Sequence, residues 1–151
     1  MVNGDLRLNE FKSFYLQYKD YSDLITFSVS PHSMYTCSFE YLKKCKALAD
    51  KYNLPFNIHF CENTNEVLDI TNTYNLTPIK ALEKLNLLDN HLILGHGIYV
   101  DEYMKLKNIK GGVVHNPVSN LRLGCGILNI CKYIKNDILV ALGTDGQGSC
   151  R

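Results

Sequence analysis

Four of the five histidines stand at or just past the end of a short apolar run, and a carboxylate follows a fifth run. His32 follows Phe27-Ser28-Val29-Ser30-Pro31, His59 ends Phe56-Asn57-Ile58, His96 follows Ile93-Leu94-Gly95, and His115 ends Gly112-Val113-Val114. Val140-Ala141-Leu142-Gly143 runs into Thr144 and Asp145. Imidazole nitrogens with a carboxylate oxygen suit zinc or another borderline divalent metal, which lowers the pKa of a bound water towards neutrality. On this pattern His59 and Asp145 are the best candidate ligands. Glu62, three residues past His59, would lie in the first turn beyond its strand, close enough to move a proton between that water and a substrate. His91 precedes its apolar run and belongs at the opposite end, with a structural or solvent role.

The elements that must position these groups follow a repeated rhythm of apolar run, polar loop and amphipathic stretch. The strand-like runs are Leu24 to Val29, Pro55 to Phe60, Leu92 to Leu94, Gly112 to Val114 and Ile138 to Leu142. After Ser38, a candidate N-cap, Phe39, Leu42, Cys45, Leu48, Ala49 and Tyr52 recur at helical spacing, and Thr77-Pro78 opens a second stripe of Ile79, Leu82 and Leu85. Further helices are expected near Asp101 to Lys107, with Asp101 as candidate cap, and near Ile127 to Ile134. Strands alternating with helices imply βαβ units, hence an α/β class with a parallel sheet whose strand ends open on one side. That edge is where such folds place their chemistry.

Composition narrows the function. The 151 residues, 46% hydrophobic and 21% charged, suit one domain or a piece of a larger one and exclude disorder. Sixteen Lys and Arg against fifteen Asp and Glu leave a net charge of +1, with no basic footprint for nucleic acid or an anionic membrane. No apolar run reaches membrane-spanning length, and Met1 is followed by the polar Asn3, Gly4, Asp5 and Arg7 rather than a secretory leader. Cys37, Cys45, Cys61, Cys125, Cys131 and Cys150 form no C-x-x-C pair, which reads as reduced, mostly buried thiols in a cytoplasmic protein rather than a zinc ribbon or a disulfide framework.

Five stretches occur in order: P-H-S-M-Y-T-C-S at Pro31 to Ser38, I-H-F-C-E at Ile58 to Glu62, G-H-G at Gly95 to Gly97, H-N-P-V-S-N-L-R-L at His115 to Leu123, and A-L-G-T-D-G at Ala141 to Gly146. Together they resemble the metal-dependent amidohydrolase superfamily, in particular its 5-methylthioadenosine/S-adenosylhomocysteine deaminase and chlorohydrolase-like branch. The resemblance implies a (β/α)₈ barrel, of which this chain would supply the fourth to eighth strands. It implies that His59 and Asp145 hold one divalent metal, zinc or alternatively iron. It makes Glu62 the acid/base that protonates a ring nitrogen, His96 the histidine that orients the hydrolytic water, and Asp145 the acceptor of that water's proton. It makes His32 a substrate contact alongside Glu62 and Asp145, and the stretch His115 to Asn120 a shaper of the pocket.

The family's first-strand H-x-H ligand pair has no counterpart here, since no two histidines stand two apart. Residues 1–151 are therefore expected to form a partial amidohydrolase barrel of about five βα units, a fragment inactive by itself. The expected activity of the parent is hydrolytic deamination of an aminopurine nucleoside such as 5-methylthioadenosine or S-adenosylhomocysteine. Guanine deaminase and aminotriazine or chlorotriazine hydrolase are the alternatives within the superfamily. A non-catalytic partial barrel that self-associates through its open strand edges is the alternative outside it.

Overall fold

Alternation of apolar and polar residues gives each strand one face for the helices and one for the centre of the fold. In the computed structural model, which describes residues 4–88, 91–146 and 148, there are four strands, of which the first alternates in this way and the others are short apolar runs. They are β1 (Phe56–Phe60), β2 (Leu92–His96), β3 (Gly112–His115) and β4 (Val140–Leu142), all parallel and in the order β1-β2-β3-β4. The register pairs His59 with Gly95, Gly95 with Val114, and Val114 with Ala141, so the C-terminal ends of the strands are level.

The helices are α1 (Gly4–Tyr18), α2 (Phe39–Tyr52), α3 (Thr64–Tyr74), α4 (Pro78–Lys84), α5 (Pro117–Arg122) and α6 (Ile130–Lys135), with a 3₁₀ turn at Tyr103–Leu106. Ser38 caps α2 by accepting from the Tyr41 amide, and Thr77 caps α4 by accepting from the Lys80 amide with Pro78 in the first turn, as the sequence predicts. Phe56, Ile58 and Phe60 of β1 and Leu92 and Leu94 of β2 are buried with Leu42, Ala49, Ile70 and Leu82 of the helices. The opposite face of the sheet carries Asn57, His59 and Gly95 towards the site.

Three expectations are corrected. Leu24 to Val29 is not a strand: Val29 makes one isolated parallel bridge to Phe56, while Leu24 is 95% exposed and Phe27 packs edge-on against Tyr15 of α1. Of its apolar side chains Phe27 packs on α1 and Val29 lies in the core beside β1, while Leu24 and Ile25 are exposed. The stretch Asp101 to Lys107 forms only the 3₁₀ turn, preceded by Glu102 with no side-chain cap, so Asp101 caps nothing. The last helix begins at Ile130, because Asn129 accepts from the Lys132 amide and sets its start. Helices α1 and α3 lie outside the stretches expected to be helical: α1 buries no residue of its own, whereas α3 starts at an Asn63 cap. Cys150 lies outside the described residues.

Candidate active site

His59, His96 and Asp145 each offer one ligand atom, and these atoms lie within 4.8 Å of one another. His59 reaches this point from the inward-facing register of β1. Its Nδ1–H donates to the backbone oxygen of His32 at 2.8 Å, which leaves Nε2 for the centre. His96 arrives differently. Strict alternation would set it on the helix side with Leu92 and Leu94, but its φ is 70°, in the left-handed region, and its ring stands 5.2 Å from that of His59. Asp145 also has a left-handed backbone, φ 60°, and such non-glycine conformations persist where surrounding contacts hold them.

The donor set fits a divalent metal. Two imidazoles have Nδ1 engaged elsewhere, His59 with His32 and His96 with the Asn120 side chain at 2.8 Å. One oxygen of Asp145 is taken, since Ser119 Oγ donates to Oδ2 at 2.5 Å. Such outer partners orient ligands towards a metal. The Ser119 hydrogen bond also holds the Asp145 carboxyl below the usual carboxylate range, which keeps it ionised.

Glu62 enters the same space. Its side chain is 12% exposed, and Oε1 lies 3.8 Å from His96 Nε2, so it is not a solvated helix-start carboxylate. Two neighbours hold it. Cys125 Sγ approaches Oε1 at 3.6 Å, and the Glu62 backbone N–H donates to Glu66 Oε2 at 2.8 Å. Glu66 is 1% exposed and its Oε1 has no hydrogen-bond partner among the described residues, and burial pushes its carboxyl above the usual range.

A cavity of about 260 Å³ opens between the strand ends, lined by Asn57, His59, Gly95, His96, Val114, Asn116, Gly143 and Asp145. A Cβ at Gly143 would stand 2.3 Å from Asn116 Oδ1 and 2.7 Å from Val114 Cγ1, so both side chains would have to shift to admit a larger residue. His32 is exposed beside the cavity, its ring stacked on His59 at 4.6 Å and its Nδ1 hydrogen-bonded to Thr36 at 2.8 Å. Burial, and then the neighbouring His59, hold its imidazole below the usual histidine range. His115 is likewise lowered by burial and by His96. His91 is exposed at the other end of the sheet, where its backbone oxygen accepts from the Phe56 amide.

The structure thus gathers His59, Glu62, His96 and Asp145 and sets His32 at the rim. It adds Ser119, Asn120, Glu66 and Cys125. Ser119 and Asn120 fall inside the stretch read as pocket-forming, and Glu66 occupies the third helical position after the Asn63 cap, where a carboxylate often reaches back to a free amide. Cys125 carried no signal beyond that of a small buried side chain.

The amidohydrolase family pattern matches residues 5–151. The chain is 47% identical over 124 residues to the 5'-deoxyadenosine deaminase of Methanosphaera stadtmanae, covering 81% of this chain and 29% of that enzyme. It is 38% identical over 149 residues to the 5-methylthioadenosine/S-adenosylhomocysteine deaminase of Pyrococcus furiosus, covering 96% and 35% respectively. Its fold superposes with a TM-score of 0.89, at 30% identity, on a zinc-bound adenosine deaminase from Xanthomonas campestris, over 97% of this chain and 34% of the other. The chain spans about a third of the length of these curated relatives. From the extent of the family match, the ordered motifs and their convergence at the ends of parallel strands, the chain belongs to the amidohydrolase family.

Proposed function

We propose that residues 1–151 form a partial amidohydrolase barrel domain that supplies part of the active site of a hydrolytic deaminase. Its substrate is an aminopurine nucleoside, with 5-methylthioadenosine, S-adenosylhomocysteine and 5'-deoxyadenosine first among candidates. The observation that supports this reading is the meeting of Glu62 Oε1 with His96 Nε2 at 3.8 Å beside the His59, His96 and Asp145 donor group. That juxtaposition puts a proton carrier within reach of a nucleophilic water.

Zinc held by His59 and Asp145 would supply the Lewis acidity that makes water a nucleophile near neutral pH, and His96, whose ligand atom lies within 4.8 Å of theirs, orients that water. Glu62 gives a proton to the ring nitrogen next to the attacked carbon and recovers one from the new hydroxyl as the carbonyl forms and the amine departs. Asp145, ionised under the influence of Ser119, takes the proton released by the attacking water and passes it to the departing amine. His32 contacts the substrate from the rim. No first-strand H-x-H pair is present, and ligands outside this sequence complete the metal site in the active protein. The 151-residue chain alone is inactive.

The test is ammonia release by the zinc-loaded protein carrying this segment, with 5-methylthioadenosine, S-adenosylhomocysteine, 5'-deoxyadenosine and guanine offered separately. Release from the nucleosides supports the reading. Activity confined to guanine would replace the nucleoside by a free base, and release from none of them would remove the deaminase assignment.

Self-association of the chain belongs to the same proposal. The outer edge of β4 is unpaired among the described residues, and Leu139 and Leu142 beside it are 65% and 76% exposed. A second copy covers that edge. Among the described residues no helix is long and apolar enough to cross a membrane.

A further inference from the structure

His96 is 1% exposed, and Asn120, on the short helix α5, is fully buried at 0%. The main chain of Asn120 is fixed on both sides: its amide donates to the Asn116 oxygen at 2.9 Å, and its own oxygen accepts from the Cys125 amide at 2.8 Å. Its side chain therefore has a set position between two histidines of different strands. Oδ1 faces His96 Nδ1 at 2.8 Å, and Nδ2 faces His115 Nδ1 at 3.5 Å.

We propose that Asn120 is a positioning residue that fixes the tautomer of His96, its Oδ1 accepting a hydrogen bond from Nδ1–H so that Nε2 turns its lone pair into the space enclosed by Glu62, His59 and Asp145. A neutral imidazole carries one N–H, and the partner of one nitrogen decides the state of the other. An amide oxygen can only accept, so the nitrogen it faces bears the proton. The amide nitrogen can only donate, so the longer 3.5 Å approach to His115 Nδ1 suits a lone pair on that nitrogen. The neighbouring Ser119 holds Asp145, so two consecutive residues of α5 orient a histidine and a carboxylate that approach from separate strands. The reverse orientation of the amide would put the proton on His96 Nε2 and leave no lone pair at the centre.

The consequence for catalysis rests on the deaminase reading, but the tautomer does not, and it can be measured without turnover. The experiment is nitrogen NMR of the imidazole rings in the 151-residue chain labelled with ¹⁵N-histidine. The sample is freed of metal by a chelator, because a bound metal would itself impose the Nδ1–H form, and is held at a pH where the imidazoles are neutral. His96 resonances are assigned by their loss in His96→Gln. The expected result is a protonated Nδ1 and a bare Nε2 at His96 in the native chain. Asn120→Leu, which removes the acceptor, shifts His96 towards the Nε2–H form that a free imidazole favours. Asn120→Asp, which keeps an acceptor, retains Nδ1–H with its proton resonance moved downfield. A native His96 protonated at Nε2, or a folded Asn120→Leu chain with an unchanged tautomer, overturns the proposal. Should Asn120→Leu fail to fold, an Asn120→Asp spectrum without the downfield shift does the same. Loss of the deaminase assignment with a native Nδ1–H form would leave the positioning role standing.

Discussion

Ser119 donates its hydroxyl proton to Asp145 across 2.5 Å, linking the first turns of α5 to the loop beyond β4. The two residues lie 26 apart in the chain, and the contact sets both the direction and the charge of the carboxylate. Ser119→Ala removes the main cause of the lowered Asp145 pKa, which then rises towards its ordinary value. A carboxylate must be ionised to bind a metal, so the acid limb of zinc binding moves to higher pH. Affinity at neutral pH falls by about 10- to 100-fold, as for other losses of a ligand's outer partner. Competition with a fluorescent chelator across a pH series measures both effects, and an unchanged acid limb would deny Ser119 this role.

Glu66 gives a stability prediction of opposite sign. Burial raises its folded pKa above the unfolded value of about 4.3, so the native state carries no penalty from this group below that pH and loses stability as pH rises through the folded pKa. Glu66→Gln keeps an oxygen to accept the Glu62 amide and has no charge to bury. Urea unfolding at mildly acidic and mildly alkaline pH should show the variant gaining on the native chain as pH rises. A difference independent of pH would mean that Glu66 does not titrate in this way.

In the protein that carries the completed site, Glu62→Gln retains the metal and lowers turnover by about 10²- to 10⁴-fold, the usual contribution of a general acid or base. Metal analysis alongside kcat separates the two. Loss of metal together with rate would make Glu62 a ligand instead.

Gly97 has φ +63°, and a Cβ there would meet the Tyr133 hydroxyl oxygen at 2.7 Å and Val113 Cγ1 at 2.8 Å. Tyr133 is fully buried and donates to the Gly97 oxygen, so it has little room to yield. Gly97→Ala should cost roughly 1–3 kcal/mol from backbone strain and crowding. That is a fall in Tm of about 2–4 °C per kcal/mol for a chain near this size, read by circular dichroism.

Sedimentation of the native chain over a range of concentrations should show reversible association, and Leu142→Lys should weaken it by placing a charge beside the open edge of β4. A native chain that stays monomeric at all concentrations contradicts the proposed self-association.

The strand ends were legible because apolar runs stop at His96 and His115 and one residue past His59, and because buried parallel strands need little besides such runs. The caps at Ser38 and Thr77 were legible for a local reason, as their side chains satisfy amides three residues on. The run at Leu24 to Val29 misled because its apolar residues signal burial against something, and sequence spacing does not say whether that is a strand or a helix.

Residue types and their order determined the α/β class, the parallel sheet, the side on which the chemistry lies and the group His59, Glu62, His96 and Asp145. Tertiary structure alone decided how these groups face one another. The inward turn of His96 depends on a left-handed backbone that alternation would not supply, and the set of its ring depends on Asn120, 24 residues away in the chain. Glu62 is held by Glu66 and met by Cys125, 63 residues further along. Hydrogen bonds of that kind form between side chains brought together by packing, and no periodicity within either segment carries their distance or direction.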